Sequence, residues 1–558
     1  MNLLSFDNVR FAYRNSPILA LNGVTLDIPE GAFVGVVGPT GAGKSTLIRA
    51  ASGVVPKLFK GPFAGTVAFR GASIASQCVA DLAGKIGAVF QDFESQLFST
   101  HARIECAFGM ENLGIDRVTM LRRIEQTAEK VGIQDLLDRE PQSLSGGQKQ
   151  RLALASVLCL QPEALLCDEV TTDLDPEARD ALFDTLRQLI RARQSVVMVE
   201  HETERLLQAD WLAVMRQGQI VAQGMPATLL SDPAFCAQHG LFTPPLFDLC
   251  AQLKLPDRPL TLEQAEQTLK QRGFMPITGT FPETPALAAA PLIEVADLRF
   301  AYQPAAPVLK GISLAIRRGE FIAILGRNGS GKTTLVKHLN ALLVPQAGQV
   351  LYDGTPVAAL GVSRMARKVG FVFQNPDHML FAATIHDEVA FGLRNLHMKE
   401  SALPATINRV LSTVGLAGRE MIDPFIMTKG DRQKLAVACV LACEPDVLIL
   451  DEPTTGLDAR EQAAMMELLK TLNRAGHTII IVTHAVPVAA AYAKRVVLME
   501  EGRILADGPT RRIFHDPLRL AQAHITAPPC VLLGSRLGIP ALTVAELTSA
   551  LRSKGECV

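Results

Sequence analysis

The chain lacks any apolar run long enough to span a bilayer. A membrane-spanning helix needs roughly 18 or more consecutive apolar residues, and the longest candidate, 478–493, is interrupted by His484 and Pro487. The first residues also lack the basic stretch, the apolar stretch and the cleavage site of a secretory signal. We therefore expect neither a membrane span nor a signal peptide.

Paired cysteines and an excess of positive charge are missing as well. The ten cysteines include no CxxC pair, and Cys439 and Cys443 have no partner pair that would complete a zinc pattern. We expect all ten to be reduced thiols. The net charge is -1, whereas binding to a long nucleic-acid footprint needs a basic face. Nucleic acid is therefore not an expected partner.

Internal repetition is the strongest signal that the sequence contains. Hydrophobic residues make up 48% of the 558 residues and charged residues 20%, which fits several globular domains with full cores. Five marks recur in the same order at offsets of 283 to 289 residues, which indicates duplication of a whole domain. They are Phe11-Ala12-Tyr13 and Phe300-Ala301-Tyr302, 38–46 and 326–334, Phe90-Gln91 and Phe373-Gln374, Asp168-Glu169 and Asp451-Glu452, and His201 and His484.

Each half alternates apolar strand-like segments with helical segments. One apolar strand ends in two carboxylates in both halves (ALLCDE and VLILDE), and another ends in histidine (VVMVEH and IIIVTH). This alternation predicts an α/β fold with a mostly parallel sheet. A fainter repeat near the end of each half (LTLEQAEQTL and LTVAELTSAL) predicts small helical appendages. The predicted segments are a first domain at 1–230, an appendage at 231–276, a linker at 277–291, a second domain at 292–515 and an appendage at 516–558.

Two glycine-rich segments match the phosphate-loop pattern GxxxxGK[ST]. Glycines let such a loop wrap closely, so that backbone N–H groups and the positive end of the following helix face phosphates. The lysine would reach the β- and γ-phosphates and the next hydroxyl would hold Mg²⁺, which predicts binding of ATP with Mg²⁺. The residues concerned are Gly38, Pro39, Thr40, Gly41, Ala42, Gly43, Lys44, Ser45 and Thr46, and Gly326, Arg327, Asn328, Gly329, Ser330, Gly331, Lys332, Thr333 and Thr334.

The carboxylate pairs supply the metal-side and catalytic groups. Two adjacent buried carboxylates are costly unless a cation or a proton offsets their charge. In a phosphate-loop protein that cation is Mg²⁺, held through the aspartate, here Asp168 or Asp451. The following glutamate, Glu169 or Glu452, is then placed to orient or deprotonate the attacking water.

A further motif narrows the class. Leu144-Ser145-Gly146-Gly147-Gln148, followed by a strand ending in Asp-Glu, resembles the signature of ATP-binding-cassette (ABC) ATPases. The resemblance covers roughly 1–230 and 292–515, and it implies two tandem ABC-type phosphate-loop domains, each with a helical signature subdomain. It also implies roles for residues outside the phosphate loops. Gln91 and Gln374 resemble catalytic and metal-binding Q-loop glutamines, His201 and His484 the catalytic switch histidines, Tyr13 and Tyr302 the adenine-stacking aromatics, and Asp175 and Asp458 the D-loop aspartates.

The family resemblance implies that the two domains pair head to tail within this chain. Each ATP would lie between one phosphate loop and the other domain's signature, which completes the charge stabilisation and excludes water. In the second half the signature is altered to Met427-Thr428-Lys429-Gly430-Asp431, where Thr428 and Gly430 keep the hydroxyl and the close backbone approach. We therefore expect two unequal sites, and the second phosphate loop, closed by the intact signature, is expected to hydrolyse ATP faster. The closing residues are Ser145, Gly146, Gly147 and Gln148.

The segment after the second Q-loop resembles ATPases of energy-coupling factor (ECF) importers. It reads QNPDHMLF at 374–381 and DEVAFG at 387–392, and the first half holds a worn version at 91–98 and 106–109. The resemblance implies a peripheral subunit at the cytoplasmic face of the cell membrane, one copy per transporter. Its implied partners are a transmembrane coupling protein and a substrate-binding membrane protein, and its implied solutes are vitamins, their precursors or metal ions.

Three other functions compete with this interpretation. A twin-cassette translation factor also carries two such domains, but it usually has a long charged helical linker, and the boundary here is short and contains proline. DNA-repair ABC ATPases carry zinc modules or long coiled coils, and neither pattern is present. The ATPase of a conventional sugar or peptide importer stays open as an alternative.

Overall fold

The computed structural model describes residues 2–14, 16–171, 174, 176–277, 281 and 290–553. The chain forms two compact units, Met1–Ala251 and Gln252–Val558. Most of the linker predicted at 277–291, and Asp175, lie outside the described residues. Among the described helices, none combines the length and the apolar character needed to cross a membrane.

The first unit alternates strands and helices as the sequence predicts. Its strands are β1 (Asn2–Ala12), β2 (Leu19–Pro29), β3 (Phe33–Val37), β4 (Phe63–Phe69), β5 (Ala72–Ser73), β6 (Ile86–Val89), β7 (Ala164–Asp168), β8 (Ser195–Val199), β9 (Trp211–Arg216) and β10 (Gln219–Gly224). Its helices are α1 (Lys44–Ala51), α2 (Val54–Lys57), α3 (Val79–Ala83), α4 (Ala102–Asn112), α5 (Arg117–Val131), α6 (Gly146–Leu158), α7 (Pro176–Arg191), α8 (Pro226–Leu229), α9 (Pro233–His239) and α10 (Pro245–Gln252), the last of which ends at the unit boundary.

Two sheets build the first unit. One is antiparallel in the order β2-β1-β4-β5, and the other runs β10-β9-β3-β8-β7-β6 with parallel pairing from β9 to β6. Strand β3 is buried on both faces, because Phe33 and Val37 pack with the helical cluster and Val34 and Val36 pack towards β1 and α1. A strand that is buried on both faces has a continuous run of apolar residues, and such runs are the pattern from which the sequence predicts strands.

The second unit repeats this architecture. Its strands are β11 (Phe274–Pro276), β12 (Pro291–Gln303), β13 (Ala306–Arg317), β14 (Phe321–Leu325), β15 (Ala347–Tyr352), β16 (Thr355–Pro356), β17 (Val369–Val372), β18 (Val447–Asp451), β19 (Thr478–Val482), β20 (Arg495–Glu500), β21 (Arg503–Pro509) and β22 (Leu551–Ser553). Its helices are α11 (Leu262–Gln271), α12 (Lys332–Leu339), α13 (Val357–Met365), α14 (Ile385–Asn395), α15 (Leu403–Val414), α16 (Lys429–Leu441), α17 (Ala459–Arg474), α18 (Val486–Tyr492), α19 (Thr510–Phe514), α20 (Pro517–Gln522), α21 (Pro529–Arg536) and α22 (Val544–Ser549).

The sheets of the second unit match those of the first. The antiparallel sheet runs β13-β12-β15-β16, and the mainly parallel sheet runs β17-β18-β19-β14-β20-β21. A helical subdomain accompanies each parallel sheet, formed by α4, α5 and α6 in the first unit and by α14, α15 and α16 in the second. The predicted α/β class with a helical signature subdomain in each half is therefore confirmed.

Parts of the two predicted appendages contact each other. Helix α11 and strand β11 come from the first predicted appendage, yet they lie in the second unit, where β11 pairs antiparallel with β22 and α11 packs against α21. The guanidinium of Arg536 on α21 contacts the carboxylate of Glu263 on α11 at 2.7 Å. A strand as short as β11 needs a partner for its backbone hydrogen bonds, and the tail of the second half supplies it.

Candidate active sites

In each unit the sequence motifs converge at the carboxyl ends of three neighbouring parallel strands. In the first unit, Val36 of β3 and Asp168 of β7 both pair in register with Val199 of β8. In the second unit, Ile324 and Asp451 share Val482 in the same way. The phosphate loop, the carboxylate pair and the histidine follow these strands directly, so the topology brings them to one edge of the sheet, where α/β proteins bind their ligands.

The phosphate loops require glycine at positions that other residues cannot fill. A Cβ atom at Gly38 would lie 2.2 Å from the carbonyl oxygen of Met215, and one at Gly326 would lie 2.2 Å from that of Met499. Gly43, with φ of 99°, would place a Cβ atom 2.2 Å from the carbonyl oxygen of Ala20. The close backbone approach therefore comes from packing against neighbouring strands and excludes any side chain at these points.

The loop lysines are buried and turned onto their own loops. The Nζ atom of Lys44 donates to the carbonyl oxygens of Gly38 and Pro39 at 2.9 and 3.1 Å. The Nζ atom of Lys332 donates to the carbonyl oxygens of Gly326 and Arg327, both at 2.8 Å. This places each ammonium group at the centre of its loop, the position from which it can neutralise a phosphate.

The hydroxyl and carboxylate of each predicted metal site are in direct contact. Ser45 Oγ donates to Asp168 Oδ1 at 3.1 Å, and Thr333 Oγ1 donates to Asp451 Oδ2 at 2.9 Å. Burial, and then the adjacent Glu169, raise the pKa of Asp168 to about 6, and burial raises the pKa of Asp451 to about 6. A hydroxyl beside a buried carboxylate fits the oxygen preference of Mg²⁺, whose charge would offset that burial. Among the described residues, no three His, Cys, Asp or Glu side chains converge into a metal site of their own.

The glutamate after each strand sits in a strained backbone conformation. Glu169 has φ of 50° and Glu452 has φ of 49°, a left-handed region that residues with a side chain adopt infrequently. In the first unit, Gln91 Nε2 donates to Glu169 Oε2 at 2.9 Å, and His201 Nε2 lies 2.8 Å from Glu169 Oε1. The left-handed backbone conformation directs the Glu169 carboxylate towards the phosphate loop, and Gln91 and His201 hold the carboxylate in this position.

The glutamate of the second unit is held differently. His484 Nδ1 lies 2.8 Å from Glu452 Oε1, while the Thr483 hydroxyl and the His484 amide donate to Glu452 Oε2 at 3.0 and 3.3 Å. Burial alone would raise the pKa of Glu452, but His484 and then Lys332 outweigh burial and hold that pKa below its ordinary value. Glu452 is therefore an ionised acceptor at neutral pH.

The two predicted adenine-stacking tyrosines have different surroundings. The Tyr13 hydroxyl lies 3.1 Å from Thr46 Oγ1 and accepts from Arg49 at 2.9 Å, and its ring meets Phe59 edge to face. Tyr302 is 60% exposed, which leaves its ring face open to a planar ligand. The first tyrosine is thus tied to the helix of its phosphate loop more firmly than the second.

The intact signature forms the start of helix α6. Ser145 caps the helix by accepting from the Gln148 amide, and Gln148 Oε1 accepts from the Ser145 amide at 3.0 Å. This reciprocal capping box fixes the turn. Ser145 and Gly146 are exposed, and a Cβ atom at Gly146 would meet nothing within 4 Å. The structure therefore leaves the amino end of α6 open and pre-formed.

The altered signature also caps a helix, but with different partners. Thr428 Oγ1 accepts from the Asp431 amide at 3.2 Å, while the Asp431 carboxylate contacts Arg419 at 2.7 Å instead of returning to the cap. A Cβ atom at Gly430 would lie 2.6 Å from Glu461 Cδ. This helix start keeps the backbone shape, but it adds a lysine side chain at position 429 and an ion pair.

Gln374 and Asp458, the other two predicted residues that the structure describes, lie at the ends of secondary-structure elements. Gln374 comes two residues after β17, as Gln91 comes two residues after β6. Asp458 caps α17 by accepting from the amides of Arg460 and Glu461, both at 2.9 Å.

Sequence reasoning missed the residue that precedes each histidine. Thr483 donates to the second glutamate, whereas Glu200 stands at the matching place in the first unit and is 2% exposed. Burial, and then the charge of Glu202, raise the pKa of Glu200. The signal was present in the strand ends VVMVEH and IIIVTH, which differ at this position.

Comparisons with known proteins identify the family of this chain. A family model described as ABC transporter matches residues 21–172 and 309–455. A relative from Caldanaerobacter subterraneus subsp. tengcongensis, whose name describes an ABC transporter ATP-binding protein, is 41% identical over 544 residues that cover 96% of each chain. A relative of the same description from Methanosarcina acetivorans is 34% identical over 573 residues, covering 98% of this chain and 93% of its own.

A solved structure is similar to part of the chain. It is CbiO1 from Clostridium perfringens, described as part of the ABC transporter complex CbiONQ, and it is 33% identical. The match covers 45% of this chain and 100% of the CbiO1 chain, with a TM-score of 0.40.

Proposed function

This chain belongs to the ABC transporter family of ATP-binding proteins, and from that premise we propose that it is the energy-supplying subunit of a membrane importer for a small solute. It is an ATPase with two ABC transporter domains. In this role the chain hydrolyses ATP with residues of both units, the two domains cooperate, and the chain docks against a membrane partner.

The chemistry of hydrolysis is assigned to the convergent residues of each unit. Lys44 and Lys332 neutralise the terminal phosphates of ATP, and backbone amides of the glycine loops bind them. Mg²⁺, when bound, would be held by the Ser45 or Thr333 hydroxyl, the neighbouring aspartate and the Q-loop glutamine, and it would offset phosphate charge. Glu169 or Glu452 accepts a hydrogen bond from the attacking water and orients it.

The domains work as a pair in this proposal. The pairing rests on the family resemblance: the intact signature closes the site of the second phosphate loop, and the altered signature closes the first. The open, capped amino end of α6 supports this, because an exposed helix start with no side chain at Gly146 is suited to approach an anion. The second site is the faster one.

The observation that carries the transport part of the proposal is a pair of exposed aromatic side chains repeated in both units. Phe98 and Phe108 meet edge to face at 4.5 Å, and Phe381 and Phe391 meet edge to face at 4.8 Å. All four are between 42% and 62% exposed. Exposed aromatic pairs at matching places favour a docking surface for apolar side chains of another protein.

A buried glutamate fixes each aromatic pair relative to the active site. Glu105 accepts from the amides of Phe98 and Ser99 at 3.0 and 2.8 Å, and Glu388 accepts from the amides of Phe381 and Ala382 at 2.8 and 2.6 Å. These segments follow the Q-loop glutamines, and in the first unit Gln91 donates to Glu169 at 2.9 Å. A partner docked there would be mechanically linked to nucleotide binding, as a two-state element requires.

We assign that partner to a transmembrane coupling protein, with a separate substrate-binding membrane protein beside it, as in ECF importers. The chain would then lie at the cytoplasmic face of the membrane, one copy per transporter. The solute class proposed is vitamins, their precursors or metal ions, and solute recognition would belong to the membrane partners.

The proposal is tested by isolating the tagged chain from the native host. We expect it to sediment with membranes and, after solubilisation in detergent, to co-purify with two integral membrane proteins. The double variant Phe381→Ser and Phe391→Ser should release it from membranes while its own ATPase activity is retained. The proposal would be overturned if the chain were recovered with ribosomes, or if the double variant remained on membranes as the wild type does.

A further inference from the structure

The two catalytic glutamates differ in which hydrogen-bond donors reach them from the end of the neighbouring strand. In the second unit, the strand β19 is followed by Thr483 and His484. The Thr483 hydroxyl and the His484 amide both donate to Glu452 Oε2, at 3.0 and 3.3 Å. Both donors come from the two residues that directly follow β19, so their placement is tied to the sheet.

In the first unit one of these donors is missing and the other has a different acceptor. Glu200 replaces the threonine, and its Oε1 atom accepts from the His201 amide at 2.8 Å. Its Oε2 atom accepts from the hydroxyl of Thr171. The backbone amide of the histidine therefore donates to Glu200 in the first unit and to the catalytic glutamate in the second.

We propose that Glu200 is a positioning residue that slows hydrolysis at the first site, because it replaces one of the donors that orient the catalytic carboxylate in the second unit and binds the other, the histidine amide. The inference rests on the proposed roles of Glu169 and Glu452 and deepens them. It adds a cause of inequality that lies inside the first unit, independent of the altered signature at 427–431.

The physical reason is the precision with which a water-orienting carboxylate must be held. The ends of the Gln91 and His201 side chains reach Glu169 at 2.9 and 2.8 Å, and Lys44 Nζ lies 3.8 Å from it. Glu452 contacts its histidine ring and accepts from two donors in the residues that follow β19. A small displacement of a group that orients a reacting water lowers the rate strongly, since the attack needs a narrow range of geometries.

Glu200 also introduces a further carboxyl group at the first site. It is almost fully buried, at 2% exposure, and it lies two residues from Glu202, whose amide it accepts at 3.4 Å. Thr483 carries no charge; its hydroxyl accepts from the Ala485 amide at 3.0 Å and donates to Glu452. An ionised carboxylate at this position has no hydrogen to donate, so the first unit lacks this donor.

The test follows each site separately in the full-length chain. Vanadate trapping with Mg²⁺ and photoreactive 8-azido-[α-³²P]ATP labels the site that has hydrolysed ATP, and peptide mapping assigns the label to 1–230 or 292–515. The wild type should carry most label in the second half. Glu200→Thr should raise labelling of the first half by about fivefold, the rate effect of one net hydrogen bond.

Matched variants separate charge from hydrogen bonding. Glu200→Gln removes the carboxyl charge but keeps an acceptor for the His201 amide, so it should give a smaller increase than Glu200→Thr. The reciprocal variant Thr483→Glu should lower labelling of the second half by a similar factor, whereas Thr483→Ser, which keeps the hydroxyl donor, should lower it less. Because the reciprocal variant lies in the other unit, a folding failure of one variant leaves the other as the test.

Steady-state rates give a second readout. In the Glu452→Gln background, Glu200→Thr should raise kcat of the remaining site without changing KM for ATP, since the inference concerns orientation and leaves binding alone. The inference would be overturned if Glu200→Thr left the ratio of first-half to second-half labelling unchanged or lowered, and if Thr483→Glu labelled like the wild type. If Glu169→Gln and Glu452→Gln themselves retained full labelling, the proposed catalytic roles would fail instead.

Discussion

The Nδ1 atom of His484 lies 2.8 Å from Oε1 of Glu452, whereas His201 reaches Glu169 at the same distance through Nε2. The two imidazoles therefore present opposite ring nitrogens to equivalent carboxylates. In the second unit this contact lowers the pKa of a fully buried carboxyl group, against the effect of burial. An ionised glutamate is a strong acceptor for water and a weak proton acceptor, so its role is orientation more than proton removal.

Replacing Glu452 with glutamine should abolish most hydrolysis and leave ATP binding intact. The amide keeps the shape but loses the charged acceptor, and we expect kcat to fall by about 100-fold or more. Equilibrium binding of labelled ATP and steady-state ATPase rates check the two halves of this statement. Glu169→Gln is the matched control in the first unit, and it should lose less of the total rate.

The two loop lysines should differ in importance. Lys332→Ala removes the ammonium from the site that we propose to be faster and should lower total ATPase activity by about 100-fold, as loss of one charge-stabilising donor does. Lys44→Ala should cost less. A larger loss from Lys44→Ala would contradict the assignment of the faster site, and equal losses would indicate that both sites must be filled for either to turn over.

Gly146→Ala separates stability from function. The new methyl group would meet nothing within 4 Å, and alanine is favoured over glycine inside a helix by up to about 1 kcal/mol. Thermal unfolding should therefore be unchanged or slightly improved. ATPase activity should nevertheless fall at least about tenfold, because the methyl group blocks the approach of nucleotide to the helix start. Gly392→Ala in α14, whose added Cβ atom has only ordinary contacts, is the control and should keep full activity.

The joined tails should be stabilised by the buried face of α11. Leu269 is 1% exposed, so Leu269→Ala should destabilise this region by about 2–4 kcal/mol, the usual cost of emptying a core leucine site. Leu260, just before the helix, is 52% exposed, and Leu260→Ala should change stability by less than about 0.5 kcal/mol. Amide hydrogen exchange over 262–276 measures both. Equal protection in the two variants would show that α11 is not anchored through this side chain.

Asp446 should make the second unit less stable in acid. Burial would raise its pKa, but the Tyr352 hydroxyl and Arg318, at 2.6 Å, outweigh burial and hold the pKa below its ordinary value. A lowered folded-state pKa gives stability that is present above the unfolded-state value and is lost as pH falls through the folded-state value. Asp446→Asn should cost about 1 kcal/mol at pH 7, allowing for solvent screening. Urea unfolding should show the variant and wild type converging below about pH 4.

Sequence patterns predicted the parts of this molecule that depend on neighbouring residues. The phosphate loops, the Asp-Glu pairs and the histidines follow buried strands, and a parallel sheet necessarily gathers the ends of such strands at one edge. The fold class followed from the same alternation. Patterns of this kind carry the information because glycine, lysine and carboxylate spacing is fixed by local geometry.

Long-range pairing was beyond the reach of those patterns. The faint tail repeat indicated helices at 260–269 and 542–551, but nothing local announces that β11 takes β22 as its partner across almost 300 residues. The exchange of donors between Glu200 and Thr483 was hidden for a related reason. The consequence of having glutamate in one strand end and threonine in the other can be seen only when the hydrogen-bond partners of these side chains are known.

The strand pair β11–β22 has a consequence for how such a protein could be divided or inherited. Its two edges lie on opposite sides of the segment 277–291, so a gene cut there would yield two polypeptides that each carry one unmatched edge. Each product would complete the other's smallest sheet, and the Arg536–Glu263 contact would add a charge preference for the unlike partner. Two such polypeptides would therefore retain a short strand pairing through which they could reassociate.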